Sequence, residues 1–195
     1  MKIIELILDE NDFEAGIEAI SIVSDPAIES PFVALKKQEI KLAEVDKEKK
    51  ILMGPLLIPD KPIYRKDENG EYYIFFSKET INKASQLFLQ NGNQSNATLE
   101  HASKITGLTL VESWIVEDKQ KDKTALYGLD VPVGSWVGSI KVNNDEVWDQ
   151  YILSGLCKGF SIEGFFADKI SSKPKDKEKM SGQVLNQIKD ILNEK

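Results

Sequence analysis

"KGFSIEGFF", residues 158–166, decides how the rest of the chain is read. Phe160 and Ile162 alternate with Ser161 and Glu163, the period of two expected of a strand that buries one face and leaves polar groups on the other. The pattern therefore predicts a stiff element that carries a hydroxyl and a carboxylate on the same side, together with Phe165. Gly159 and Gly164 leave room for a second backbone to approach closely, either a neighbouring strand or an extended peptide.

Working outward, the chain has 195 residues and 41% apolar content, enough for one well-buried core but not for two full domains. The longest apolar runs, such as "ILMGPLLI" at 51–58, are far shorter than the roughly 20 residues that cross a bilayer. The N-terminus turns acidic too early for a secretory leader, so a soluble, intracellular protein with no membrane partner is expected. One cysteine, Cys157, and one histidine, His101, exclude an internal disulfide and any His/Cys metal cluster, so no metal or cofactor is expected. A formal charge of −7, with lysines interspersed among acids, argues against a nucleic-acid partner. Arg65 is the only arginine, which removes the usual bidentate phosphate fork.

The first 76 residues read mostly as strands: "KIIELIL", "IEAISIV", "KKILMGPLLI" and "EYYIFF". Prolines at 26, 31, 55, 59 and 62 suggest edges, bulges and turns, and a barrel or a strongly bent sheet fits them. "SKETINKASQLFLQNG" predicts a helix with Ser77 as N-cap, an apolar stripe of Ile81, Ala84, Leu87 and Phe88, and Gly92 as its stop. "TLEHASKITGLTLVESWIV" and "TALYGLDVPV" read as strands joined in a hairpin around residues 117–123. "NDEVWDQYILSG" predicts a second helix, capped by Asn144 or Asp145. Residues 168–180 have almost no apolar content and predict a flexible charged linker. The segment 181–195 has helical apolar spacing and either docks on its own domain or binds a partner or scaffold. A core domain of 1–167 results.

Imidazole is the side chain best suited to take a serine proton near neutral pH, and the chain has one. His101 follows a polar loop and precedes a strand, a location from which a side chain can reach a cleft. Ser161 leaves the core on a rigid strand, but a serine hydroxyl is a poor nucleophile until a base removes its proton. The base in turn needs an orienting partner, which with a single histidine must be a carboxylate. Glu112 in "LVESWIV" is an acid embedded in a predicted strand soon after His101, and Asp130 in "YGLDVPV" has the same anomaly. Glu163 shares a face with Ser161 at about 7 Å along the strand, and is better suited to a substrate contact or a structural pair. Taken singly, each of these side chains also fits an ordinary surface or packing role. There is no phosphate-cradling glycine loop, no dinucleotide fingerprint and no "GxSxG" elbow, which excludes an α/β-hydrolase.

Four stretches together resemble the phage prohead proteases of the XkdF-like serine protease group, relatives of capsid-maturation proteases. They are "IEAISIVSDPAIESPFVAL", "ILMGPLLIPDKPIYR", "LEHASKITGLTLVESWIVED" and "LSGLCKGFSIEGFF", spanning most of residues 17–166. The resemblance implies an α+β fold similar to herpesvirus assemblin: a bent, mostly antiparallel β-barrel flanked by helices. It places the nucleophile on Ser161 and the general base on His101, a separation of 161 − 101 = 60 residues. The herpesvirus enzymes use a second histidine as third member, which this chain lacks, leaving Glu112 as the choice and Asp130 in reserve. The implied activity is that of a serine endopeptidase acting on scaffold protein, capsid protein and itself inside the assembling prohead, in the host cytoplasm. A non-catalytic capsid-assembly or scaffold-like protein on the same fold is the alternative, and self-association into a homo-oligomer stays open.

Overall fold

The protein is seen in a computed structural model that describes residues 2–9, 15–27, 33–35, 49–68 and 70–169. Apolar alternation in the first half produces β1 (Lys2–Ile7), β2 (Gly16–Val23), β3 (Val33–Leu35), β4 (Ile51–Leu57), β5 (Ile63–Asp67) and β6 (Gly70–Phe76). Next come α1 (Lys78–Gln90), a 3₁₀ turn (Asn93–Ser95), β7 (Ala97–Leu99), β8 (Ser103–Ile105) and β9 (Leu108–Ile115). The remainder is α2 (Lys123–Leu126), β10 (Trp136–Val142), α3 (Asp145–Val147) running into a π turn (Trp148–Ile152), β11 (Gly159–Phe165) and β12 (Ala167–Asp168).

The strands form three four-stranded sheets, ordered β12-β1-β6-β5, β3-β4-β10-β9 and β11-β2-β7-β8. This corrects the expected barrel flanked by helices: the described residues are mostly β, the sheets are open, no barrel closes, and the helices are few and short. Closure requires one unbroken ladder from first strand to last. Here the ladder is divided into three, and two of the pairings, β1 with β6 and β2 with β7, are parallel. Pro55 sits inside β4 beside a register shift against β10 at Trp136/Val137, so this proline is accommodated at a bulge in a central strand.

Most local signals match the elements they predict. Ser77 caps α1, accepting from the Thr80 amide, and Ile81, Ala84 and Phe88 of that helix are buried. Phe88 meets Trp136 edge to face, with ring centroids 5.6 Å apart. The Asn144 side chain caps α3 by accepting from the Val147 amide at 3.1 Å. The hairpin expected around residues 117–123 is not formed. The Asp122 carboxylate accepts from Thr124 N and Thr124 Oγ1 at 2.8 and 2.7 Å and starts α2. That local bond diverts "TALYGLDVPV" from a strand, and β9 pairs with β10 instead.

One core cluster joins the three sheets: Ile20, Ile22 and Phe160 from one and Leu52, Leu56 and Trp136 from the second, each at most 2% exposed, meet Ile4, Ile63, Ile74 and Phe76 from the third, each at most 7% exposed. Burying a side chain of this size contributes about 1.5–3 kcal/mol. Phe160 and Ile162 turn toward this core as their alternation requires, while Phe165 is exposed. Gly164 is explained by packing: a Cβ there would lie 2.1 Å from the Gly16 carbonyl oxygen, so only glycine lets β11 follow β2. Asp168 pairs with Leu6, and the Lys169 amide donates to the Glu5 carbonyl at 3.0 Å. The rest of the linker and the expected helix at 181–195 lie outside the described residues.

Candidate functional site

The site begins with a pairing between distant segments. β2 and β7 run parallel, with Ser21 opposite Thr98, and β11 lies antiparallel on the other side of β2, with Ser161 opposite Ser21. Cross-strand partners share a face, so Ser161, Ser21 and Thr98 line up across the sheet on the face turned away from the Phe160–Ile162 core. Glu163, two residues along β11, shares that face.

The turn between β7 and β8 lies beside this row. Ala102 N donates to the Leu99 carbonyl at 3.0 Å, and the two residues it encloses, Glu100 and His101, have φ of 52° and 56°. Left-handed backbone costs a residue with a Cβ roughly 1–2 kcal/mol. Bonds to β2 and its exit offset that cost. Glu100 N donates to the Ile22 carbonyl at 3.0 Å, His101 N to Ser21 Oγ at 3.0 Å, and Glu100 Oε1 accepts from Ser24 N at 2.7 Å. Strain held in place by its surroundings is a feature of functional turns.

So held, the imidazole reaches across the sheet face. His101 Nδ1 lies 3.0 Å from Glu163 Oε1, and the Thr98 hydroxyl donates to the same carboxylate oxygen. A carboxylate that accepts from Nδ1–H leaves Nε2 as the ring's proton acceptor. The side chains of His101 and Glu163 are 42% and 31% exposed, so both are open to solvent and to a ligand. They line a polar cavity of about 630 Å³ together with Glu18, Thr98 and Lys104.

Ser161 is 8% exposed, and its hydroxyl makes no hydrogen bond among the described residues. It lines a different, mostly apolar cavity of about 300 Å³. His101 and Ser161 thus belong to one sheet and are joined through Ser21, yet each opens into its own cavity. Hydrogen bonds between a base and its nucleophile are often long before substrate arrives and tighten in the complex.

Glu112 is occupied elsewhere. It sits on β9 and accepts from Ser139 Oγ and from Lys123 Nζ, both at 2.5 Å. The Lys123 ammonium, and after it the Ser139 hydroxyl, hold its carboxyl below the usual range. Asp130 pairs with Lys119. The carboxylate brought to His101 is Glu163, which sequence reasoning considered for another role because it measured only the spacing along β11. Ser21 and Thr98 were missed as well. Their signal is a lone hydroxyl in each of two otherwise apolar strands, "IEAISIV" and "ATL", but the parallel register that joins them is not visible locally.

Cys157 is 3% exposed, and burial pushes its thiol up to about 11, which makes it a poor nucleophile. Among the described residues no group of three or more His, Cys, Asp and Glu side chains is placed to hold a metal, and no helix is long and apolar enough to cross a membrane.

A family model described as "Putative phage serine protease XkdF" matches residues 39–171, more than half of the chain and inclusive of His101, Glu112, Ser161 and Glu163. No curated protein and no solved structure matches the chain, and no link to herpesvirus assemblin is found.

Proposed function

This chain belongs to the family described as "Putative phage serine protease XkdF", and from that premise we propose that it is an endopeptidase with Ser161 as nucleophile, His101 as general base and Glu163 as the group that orients the base. The observation that carries this reading is the 3.0 Å contact between His101 Nδ1 and Glu163 Oε1, on the sheet face that Ser161 shares. It replaces Glu112 and Asp130, whose carboxylates are paired with Lys123 and Lys119.

In the reaction, Ser161 Oγ attacks a peptide carbonyl carbon and its proton passes to His101 Nε2. Glu163 keeps the ring in the right tautomer and stabilises the imidazolium. The C–N bond then breaks as Nε2 returns the proton to the leaving amine, and water repeats the sequence on the acyl-enzyme. Backbone amides stabilise the oxyanion at each stage.

The substrates we propose are scaffold protein, capsid protein and the chain itself, cut inside the assembling prohead in the host cytoplasm. Co-expression with the cognate capsid and scaffold proteins tests this: wild type shortens them and Ser161→Ala leaves them whole. Equal processing by both would remove Ser161 as nucleophile. Processing by neither, with both chains incorporated into particles, would favour the non-catalytic assembly role.

A further inference from the structure

Ser161 and His101 open into cavities of opposite character, and the difference bears on what is cut. We infer that the apolar cavity beside Ser161 receives an aliphatic side chain, carried by the substrate residue whose carbonyl Ser161 attacks. This rests on the reading of Ser161 as nucleophile.

The placement follows from topology. β11 is an edge strand of its sheet, and residues of the other two sheets line a cavity together with its Phe160, Ser161 and Ile162. The cavity there is walled by Leu57 of β4, by Ile63, Ile74 and Phe76 of β5 and β6, and by Ile162 and Phe166. At about 300 Å³ it lies at the bottom of the range for small-molecule sites, a size that suits a side chain better than a whole ligand. A scissile carbonyl carbon is bonded directly to the Cα of its residue. A peptide whose carbonyl reaches Ser161 Oγ therefore sets that residue's side chain within a few bond lengths of the same wall. Arg65 is the only charged side chain lining the cavity among the described residues. A fixed cation there opposes a lysine or arginine side chain, while the apolar walls give an acidic one no compensating hydrogen bonds beyond that single group. The larger cavity with His101, Glu163 and Lys104 is left for the polar, leaving-group side of the peptide.

The test uses the full chain and blocked peptides identical except for leucine, alanine, lysine or glutamate at the acyl-side position. Cleavage is measured with the wild type, and binding is measured by NMR on Ser161→Ala. Ala27 also lines the cavity, and two variants reshape it: Ala27→Phe narrows it and Phe166→Ala widens it. Leucine should be preferred over lysine by ten-fold or more, with Ala27→Phe shifting preference to alanine and Phe166→Ala toward larger side chains. Cleavage that ignores the acyl-side residue, or a preference that neither variant moves, overturns the cavity assignment and leaves the peptidase standing. Leucine-selective binding to Ser161→Ala that Ala27→Phe removes, without cleavage by wild type, upholds the cavity and sinks the peptidase. Neither binding nor cleavage of any peptide overturns both.

Discussion

Glu163 and Glu112 are both glutamates embedded in strands, and both accept a hydrogen bond from a hydroxyl, Thr98 in one case and Ser139 in the other. Their second partners differ. Glu112 faces the Lys123 ammonium, and its serine is fully buried. Glu163 faces an imidazole, the side chain that can accept and release a proton near neutrality, in an open cavity. A carboxylate in a strand is thus an anomaly with two resolutions. One is a static pair that satisfies a buried hydroxyl, and the other is an arrangement that can move a proton.

The largest effect should come from Ser161→Ala, which is expected to lower cleavage of a peptide substrate about 10³-fold or more while the melting temperature stays near that of wild type. The sharpest contrast between the two glutamates follows. Glu163→Gln should reduce kcat by about 10²–10⁴-fold, because an amide can hold the wrong tautomer of the ring, whereas Glu112→Gln should change kcat less than two-fold. The reverse order would exchange the roles assigned to the two sheets. In urea denaturation, Glu112→Leu should cost about 1–3 kcal/mol, since the buried Ser139 hydroxyl loses its acceptor. Glu163→Leu should cost less, because its partners are more exposed.

The pH dependence of stability offers a smaller difference. The carboxyl of Glu112 is held below the usual glutamate value, so its contribution is fully present above about pH 4.3 and is lost as pH falls through the lower, folded value. Glu112→Gln should therefore flatten the acid limb of the stability curve below about pH 4.3, and an unchanged limb would show that the pair with Lys123 does not persist in solution. Smallest of all, iodoacetamide should label Cys157 of the native chain far more slowly than in denaturant at pH 8, as a buried thiol raised to about 11 requires. Equal labelling rates would mean that the segment around Cys157 opens readily.

What could be read from the chain alone was the part governed by neighbours in sequence. The alternation of Phe160, Ser161, Ile162 and Glu163, the Ser77 and Asn144 caps and the stripe on α1 follow from periods of two and 3.6 and from local side-chain bonds. The barrel expectation failed because closure depends on which distant strands pair. The hydrophobic pattern of β2 is equally compatible with a barrel stave and with a sheet that takes β7 in parallel register. Glu112 is near His101 in sequence, while the carboxylate that meets the ring lies 62 residues away, a proximity that only the fold reveals.

The backward-curled pair Glu100–His101 keeps its shape only while Ser21, Ile22 and Ser24 supply acceptors and a donor from almost eighty positions upstream. A nascent or half-assembled chain therefore has an imidazole but no aim for it until these remote segments have docked. The readiness of the ring is in this way written into the order of folding.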